Sequence, residues 1–233
     1  MNDARRAYLW AAAAVAAEVL GYLAWRPRML RWGATKQEAA EPLPGDEITP
    51  HPRVRSTRAI TIDAPPEEVW PWIVQMGIDR AGFYSHDWVE RLSGARYVEG
   101  RHSATRIHPE LQDLKVGDLV PYGAGASVPV AEIEPYKHLV HGESWMLGPL
   151  PGNRTRLIVR YQGMGFIAPA ASALAPDAPP PARALHFVLA HVPGAMLIVR
   201  GVDFFFSDPL HHYMESGMLK GIKVRAEGRL VAA

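Results

Sequence analysis

The stretch Arg58–Met76, RAITIDAPPEEVWPWIVQM, constrains the fold more than any other part of the chain. Ile60 and Ile62 point to one side of an extended backbone, and Thr61 and Asp63 to the other. That is the period-2 pattern of a half-buried strand. Ala64-Pro65-Pro66 ends the strand. Pro66 suits the first turn of a helix, and Glu67 and Glu68 suit the positive end of its dipole. Val69, Trp70, Ile73, Val74 and Met76 then recur at helical spacing, so a helix must pack close to the strand it follows.

A chain of 233 residues holds one sizeable domain with appendages, or two small ones. Hydrophobic residues at 48% against 21% charged place it with globular proteins. The net charge of +1 offers no electrostatic footprint for nucleic acid, which is not expected as a partner. The absence of cysteine excludes disulfides, thiolate metal sites and a Cys nucleophile.

The amino terminus reads as a single-pass membrane anchor, residues 1–30. Ala7–Trp25 is almost wholly apolar. At ~1.5 Å per residue it reaches about 28 Å, close to the ~30 Å hydrocarbon core. Arg5 and Arg6 precede it, and Arg26, Arg28 and Arg31 follow. Trp10 and Trp25, with Tyr8 and Tyr22, lie towards its ends, where interfacial aromatics belong. Glu18 falls near the middle, where an acid costs on the order of 2.5–3.5 kcal/mol. It therefore marks a partner-facing side of the helix or snorkels to an interface. A signal peptide cleaved after Ala14-Val15-Ala16 is the rival reading, although the apolar run continues to Trp25. The slight positive excess after the span favours a cytoplasmic domain.

Residues 31–56 form a linker or an extended wrap, rich in Pro, Gly and acids. Residues 57–233 form the domain. Gly82-Phe83-Tyr84-Ser85-His86-Asp87-Trp88 is a break followed by a short helix, with Ser85 as its expected N-cap. Strands are expected near Leu119–Tyr122, Val128–Ile133, His138–Gly142 and Arg156–Tyr161, with another at Trp145-Met146-Leu147. Residues 164–207 form an apolar excursion. Its stretch 168–181 is Ala/Pro-rich. Residues 184–206 are strongly apolar but carry His186, His191, Arg200 and Asp203, too interrupted for a second span. They are expected to cover a cavity, touch the membrane surface or bind a partner. Asp208-Pro209 reads as N-cap and first position of a long last helix. Leu210, Tyr213, Met214, Gly217, Met218, Gly221 and Ile222 line one face of it.

Several of these blocks resemble one family. The strand-to-helix turn around Ala64–Trp70 is similar to the opening of the SRPBCC superfamily (START-like, helix-grip). Phe83–Trp88, Arg101–Asp118 (RHSATRIHPELQDLKVGD) and Met218–Gly228 resemble blocks of its polyketide cyclase/dehydrase-like group, as do "RWGAT" and "PLPGDE" in the linker. The group includes membrane-tethered bacterial members. The resemblance implies an α+β helix-grip fold, in which a curved antiparallel sheet wraps the C-terminal helix around an apolar cavity. Phe83, Tyr84, Trp88, Tyr122, Trp145, Tyr161, Met214 and Met218 are then candidates for the cavity wall, with the alternative that they form a dry core.

No catalytic motif stands out. Ser85-His86-Asp87 are adjacent and cannot align as a triad relay. His102 and Asp113 are the acid/base candidates of the local cluster with His108 and Glu110, against a role in capping turns. Adjacent His211 and His212 diverge by about 100° on a helix, and His186 and His191 miss the i, i+4 spacing, so no metal site is expected. No cofactor is expected beyond a bound lipid or other apolar molecule. The chain is therefore expected to be a membrane-tethered binding protein for a hydrophobic small molecule or lipid. Two alternatives stay open: an accessory subunit of a membrane complex, held through the anchor and residues 184–206, and a polyketide cyclase/dehydratase-like enzyme.

Overall fold

The computed structural model describes residues 3–92, 94–123, 126–165, 187 and 191–229. The Ala/Pro-rich stretch 168–181 and His186 lie outside the described residues. In chain order the elements are α1 (Asp3–Met29), α2 (Lys36–Ala40), β1 (Val54–Ile62), α3 (Pro66–Val74), α4 (Asp87–Leu92), β2 (Leu119–Gly123), β3 (Ala126–Pro129), β4 (Glu132–Glu134), β5 (His138–His141), β6 (Glu143–Leu150), β7 (Arg154–Gly163), α5 (Ala195–Val202) and α6 (Asp208–Ala226). The protein is α+β. A curved antiparallel sheet of order β1-β7-β6-β5-β4 packs against the long helix α6, and β2 pairs with β3 beside it.

The strand-to-helix stretch forms as its residues dictate. Pro65 and Pro66 open α3, which buries Val69, Trp70, Trp72, Ile73 and Val74. Ile62 and Ile73 are both wholly buried in the same core as Leu157, Leu219 and Ile222, so α3 and α6 share the inner face of the sheet. Burying each such side chain stabilises the fold by about 1.5–3 kcal/mol before conformational entropy is counted.

Residues 30–48 cover the sheet's other face and its β1 edge. The Thr57 N–H donates to the Leu30 carbonyl at 2.8 Å and the Ala59 N–H to Trp32 at 3.1 Å. Pairing the edge strand in this way removes a template for aggregation. At Gly33, φ is +73° and an added Cβ would lie 2.0 Å from the Ala59 carbonyl oxygen, so only glycine fits. Thr35 and Glu38 then form a capping box that starts α2. Glu38 pairs with Arg156 at 2.7 Å, and that guanidinium holds its carboxyl down at about 2. Arg160, its side chain fully buried, donates to Thr57 Oγ1, Asp46 Oδ2 and the carbonyls of Glu38, Ala39 and Glu41.

Three local expectations change. The strand expected over Val128–Ile133 is two strands. Pro129 ends β3, and the Val130 and Ala131 N–H groups donate to Asp118 and Val140, carrying the chain from one sheet to the other. Ser85 does not cap α4. Its hydroxyl donates to Glu90 Oε1 at 2.7 Å, and His86 accepts the first helical bonds instead. Asp208 is not an N-cap. The helix has already begun at Ala195 and passes through a π turn, Asp203–Ser207, in which the Asp208 N–H donates to the Asp203 carbonyl. That wider turn absorbs the missing N–H of Pro209, and the Asp208 carboxylate is taken by Arg26.

α1 has a 25-residue apolar stretch, Arg5–Met29, that is long and apolar enough to cross a membrane. Its last turns touch the domain. Met29 is buried, Trp25 meets His212 edge-on at 5.9 Å, and Arg26 Nε donates to Asp208 Oδ2 at 2.9 Å.

The closest helix-to-loop approach gives a test of the packing. A Cβ at Gly221 of α6 would lie 1.9 Å from the Tyr84 carbonyl oxygen, and Tyr84 is itself held at φ +60°. Gly221→Ala is expected to destabilise by about 1–3 kcal/mol through overpacking. Gly201→Ala, where nothing lies within 4 Å, is expected to be neutral or to stabilise by up to about 1 kcal/mol. Thermal midpoints of the two variants check the contrast.

Candidate functional site

The strand register assembles a polar cluster inside the fold. It lays Ser56, Tyr161, Glu143 and His141 side by side in one row across the inner face, and Arg58, Val159, Trp145 and Leu139 in the next. The following row, Ile60, Leu157 and Leu147, is apolar. Helix α6 repeats the division along its length. Its inner stripe reads His211 and Glu215 near the start, then Met218, Leu219 and Ile222. The polar half of the helix therefore lies over the polar rows and the apolar half over the apolar ones.

Arg58 and Glu215 join the two layers. Both side chains are fully buried and form an ion pair through Arg58 Nη1 and Glu215 Oε2. Arg58 also donates from Nη1 to Ser56 Oγ at 2.9 Å and from Nε to His212 Nδ1 at 3.2 Å. His211 Nε2 lies 3.0 Å from Glu143 Oε1 and 3.2 Å from Glu215 Oε2. A ring nitrogen facing two carboxyl groups carries the proton, so the neutral tautomer is Nε2–H. The Tyr161 ring meets His211 edge-on at 4.7 Å, and the Tyr122 hydroxyl donates to the His141 carbonyl at 3.0 Å.

Burial sets the protonation. Removal from water pushes the Glu143 and Glu215 carboxyls up to about 7, against the pull of Arg58. The same loss of solvent lowers His211, His212 and His141 to about 4, so these rings are neutral at physiological pH. One arginine cannot balance two buried carboxylates, so one of the two raised carboxyls holds a proton near neutrality. Glu143, His211 and Glu215 each offer a ligand atom within 4.8 Å of the others. With Arg58 already bonded to Glu215, a dication there would leave a net positive charge in an apolar interior, whereas one proton makes the cluster neutral.

Four buried polar atoms of this region have no hydrogen-bond partner among the described residues: Arg58 Nη2, Glu143 Oε2, Glu215 Oε1 and Trp145 Nε1. Leaving a buried polar group unpaired costs about 1–3 kcal/mol. The contrast with Arg160 on the other face is informative. That arginine is equally buried and spends all three nitrogens on partners. Arg160 closes a structural contact; Arg58 keeps a donor in reserve.

The eight expected wall residues divide into three groups. Trp145, Met218, Phe83 and Tyr84 are buried core. Tyr122, Tyr161 and Met214 are partly buried, the two tyrosines beside the polar cluster. Trp88 departs from expectation and is 57% exposed. The reason is Glu90, which takes the inner side of α4 and accepts from the Phe83 N–H, the Ser85 hydroxyl and the Tyr97 hydroxyl. A groove of about 760 Å³ near Pro66, Tyr136, Met146 and Arg154 involves none of the eight.

His102 and Asp113 are both exposed. Asp113 pairs with Lys115 at 2.7 Å, and neither residue faces the cluster. Asp87 accepts from Ser103, and the His86 ring stacks on Tyr213 at 3.7 Å, so Ser85-His86-Asp87 is spent on packing. Glu18, Trp10 and Trp25 are exposed along α1. Sequence reasoning missed Arg58, Glu143, His211 and Glu215 as a group. The available signal was parity: Arg58 shares the side of Ile60 and Ile62, Glu143 that of Trp145 and Leu147, and His211 and Glu215 are four apart on the buried stripe.

The proton balance has a measurable consequence. A carboxyl whose folded pKa is raised binds more protons folded than unfolded, so its contribution to stability is lost as pH rises from about 4.5 through about 7. Glu143→Gln removes one such group. Relative to the unmodified chain, the variant is expected to gain stability between pH 5 and pH 8, read as the difference in thermal midpoint at the two pH values. No family model matches the chain, and no match was found among curated proteins.

Proposed function

We propose that the chain is a membrane-tethered binding protein of the helix-grip kind, the architecture of the SRPBCC superfamily. In this reading it holds an apolar molecule that ends in a neutral hydroxyl, carbonyl or amide group, between α6 and the sheet. The observation that carries the reading is the set of buried polar atoms left unpartnered among the described residues: Arg58 Nη2, Trp145 Nε1, Glu143 Oε2 and Glu215 Oε1. Two of these donate. The two carboxyl oxygens accept, or donate where one is protonated. A neutral polar head satisfies both kinds. A phosphate or carboxylate head would add a negative charge to a buried cluster that one proton already makes neutral, which is disfavoured.

Other features agree with this reading. The curved antiparallel sheet packed against a long last helix supports that architecture. Met214 and Met218 offer flexible thioether contacts to an apolar body. The apolar helix α1 would keep the domain beside the bilayer in which such molecules dissolve.

A cyclase- or dehydratase-like activity at the same place is the second reading. It is favoured by a carboxyl pair that holds a proton near neutral pH next to His211, the requirement for a general acid.

Native mass spectrometry of the full-length chain, extracted gently from membranes, tests the binding reading. The unmodified protein is expected to carry an apolar small molecule. Trp145→Phe keeps an aromatic side chain but removes the donor and part of the ring, so it is expected to weaken retention on the order of 5- to 150-fold. Protein free of any small molecule, with no difference between the two forms, would refute it.

A further inference from the structure

We infer that the segment from Val192 to Phe206, a turn followed by helix, is a second membrane contact, lying in the interfacial layer of the bilayer that α1 crosses. The inference rests on the reading of α1 as a membrane anchor.

The segment exposes a run of large apolar side chains: Leu197 at 73%, Ile198 at 71% and Phe206 at 63%, with Val202 and Phe205 between them. α5 has eight residues, far too few to span. An exposed apolar helical face of this length, leading through the π turn into α6, fits the headgroup–acyl boundary, where such faces bury ~5–10 Å deep.

Contact with α1 sets the depth. The Tyr22 hydroxyl donates to the Phe204 carbonyl, and its ring lies 5.3 Å from Phe204 and 5.2 Å from Phe205. The Arg26 guanidinium lies 4.4 Å from the Phe204 ring centroid. Tyr22 is inside the apolar stretch that ends at Met29. At ~1.5 Å per residue it is about 10 Å from that end. The Phe204–Phe206 turn is therefore level with the last two turns of the span, where aromatic belts form.

Charge agrees. The two acids on this stretch of helix, Asp203 and Asp208, are both buried, while Arg200 on α5 and Arg28 on α1 are exposed and within reach of lipid headgroups. A protein partner fits less well, because the level of the patch is fixed by α1. Seated this way, the start of α6 faces the bilayer, and His211 and Glu215 lie within two helical turns of Asp208.

Because the chain lacks cysteine, single labels report position cleanly. The full-length variants Ile198→Cys and Phe206→Cys would carry an environment-sensitive fluorophore in phosphatidylcholine/phosphatidylglycerol vesicles. Val116→Cys, on an exposed loop, is the water reference, and Val15→Cys reports the anchor. Near-UV circular dichroism checks that each variant is folded. Labels at 198 and 206 are expected to shift to the blue and to be quenched by lipids with a nitroxide near the headgroup, and the label at 116 to do neither. Water-like emission at 198 and 206, with the label at 15 quenched by lipid, overturns the inference and leaves the anchor standing. Blue-shifted emission that lipid nitroxides do not quench means that protein covers the patch, and also overturns it. A label at 15 that no lipid quenches removes the anchor, and the inference with it.

Discussion

The buried ion pair between Arg58 of β1 and Glu215 of α6 is the interaction around which the fold is arranged. It is a charged contact between the sheet and the last helix, with both side chains out of reach of water. Such a pair adds little net stability, because desolvation offsets its Coulomb gain, yet removing one partner costs about 3–5 kcal/mol. It therefore fixes where α6 lies rather than how strongly it is held. With the register set there, Leu219 and Ile222 drop into the apolar rows of the sheet, and His211 comes to rest between two carboxyls.

The two faces of the sheet show two uses of a buried arginine. On the outer face, Arg160 collects the carbonyls of Glu38, Ala39 and Glu41 and the carboxylate of Asp46, and so converts a Pro-rich connection into a cover for the sheet. On the inner face, Arg58 meets a cluster with more carboxyl groups than counter-charges and polar atoms without partners. A cluster of that kind is expensive to keep in an apolar interior. Where a protein retains one, filling it with a polar group of a ligand recovers the cost, and this is the physical core of the binding proposal.

The fold was legible in the sequence where a single period dominated. The extended stretch of β1, the prolines before α3 and the strands β2, β5, β6 and β7 are local backbone choices that tertiary packing did not overrule, although residues 30–48 bury the face of β1 that alternation left to solvent. The errors came where a long-range contact decided. Asp208-Pro209 looks like a helix start, but Arg26, far away in sequence, claims the carboxylate, and a π turn carries the helix through the proline. Trp88 looked like cavity wall until Glu90 took the inner side of its short helix. The site itself was the least visible part. Arg58 and Glu215 are 157 residues apart, so no local motif contains both. Each reads alone as an ordinary charged residue, and only strand parity and helical stripe, taken together, place them inside.

The most direct measurement is an experimental structure of the full-length chain purified with native lipid. Elongated density is expected between α6 and the sheet. Its polar end should lie within hydrogen-bond distance of Arg58 Nη2 and Trp145 Nε1, and its body should run towards Met214 and Met218. Side chains closed directly on one another, with the four polar atoms bonded to protein or to isolated waters and no density for a ligand, would contradict it.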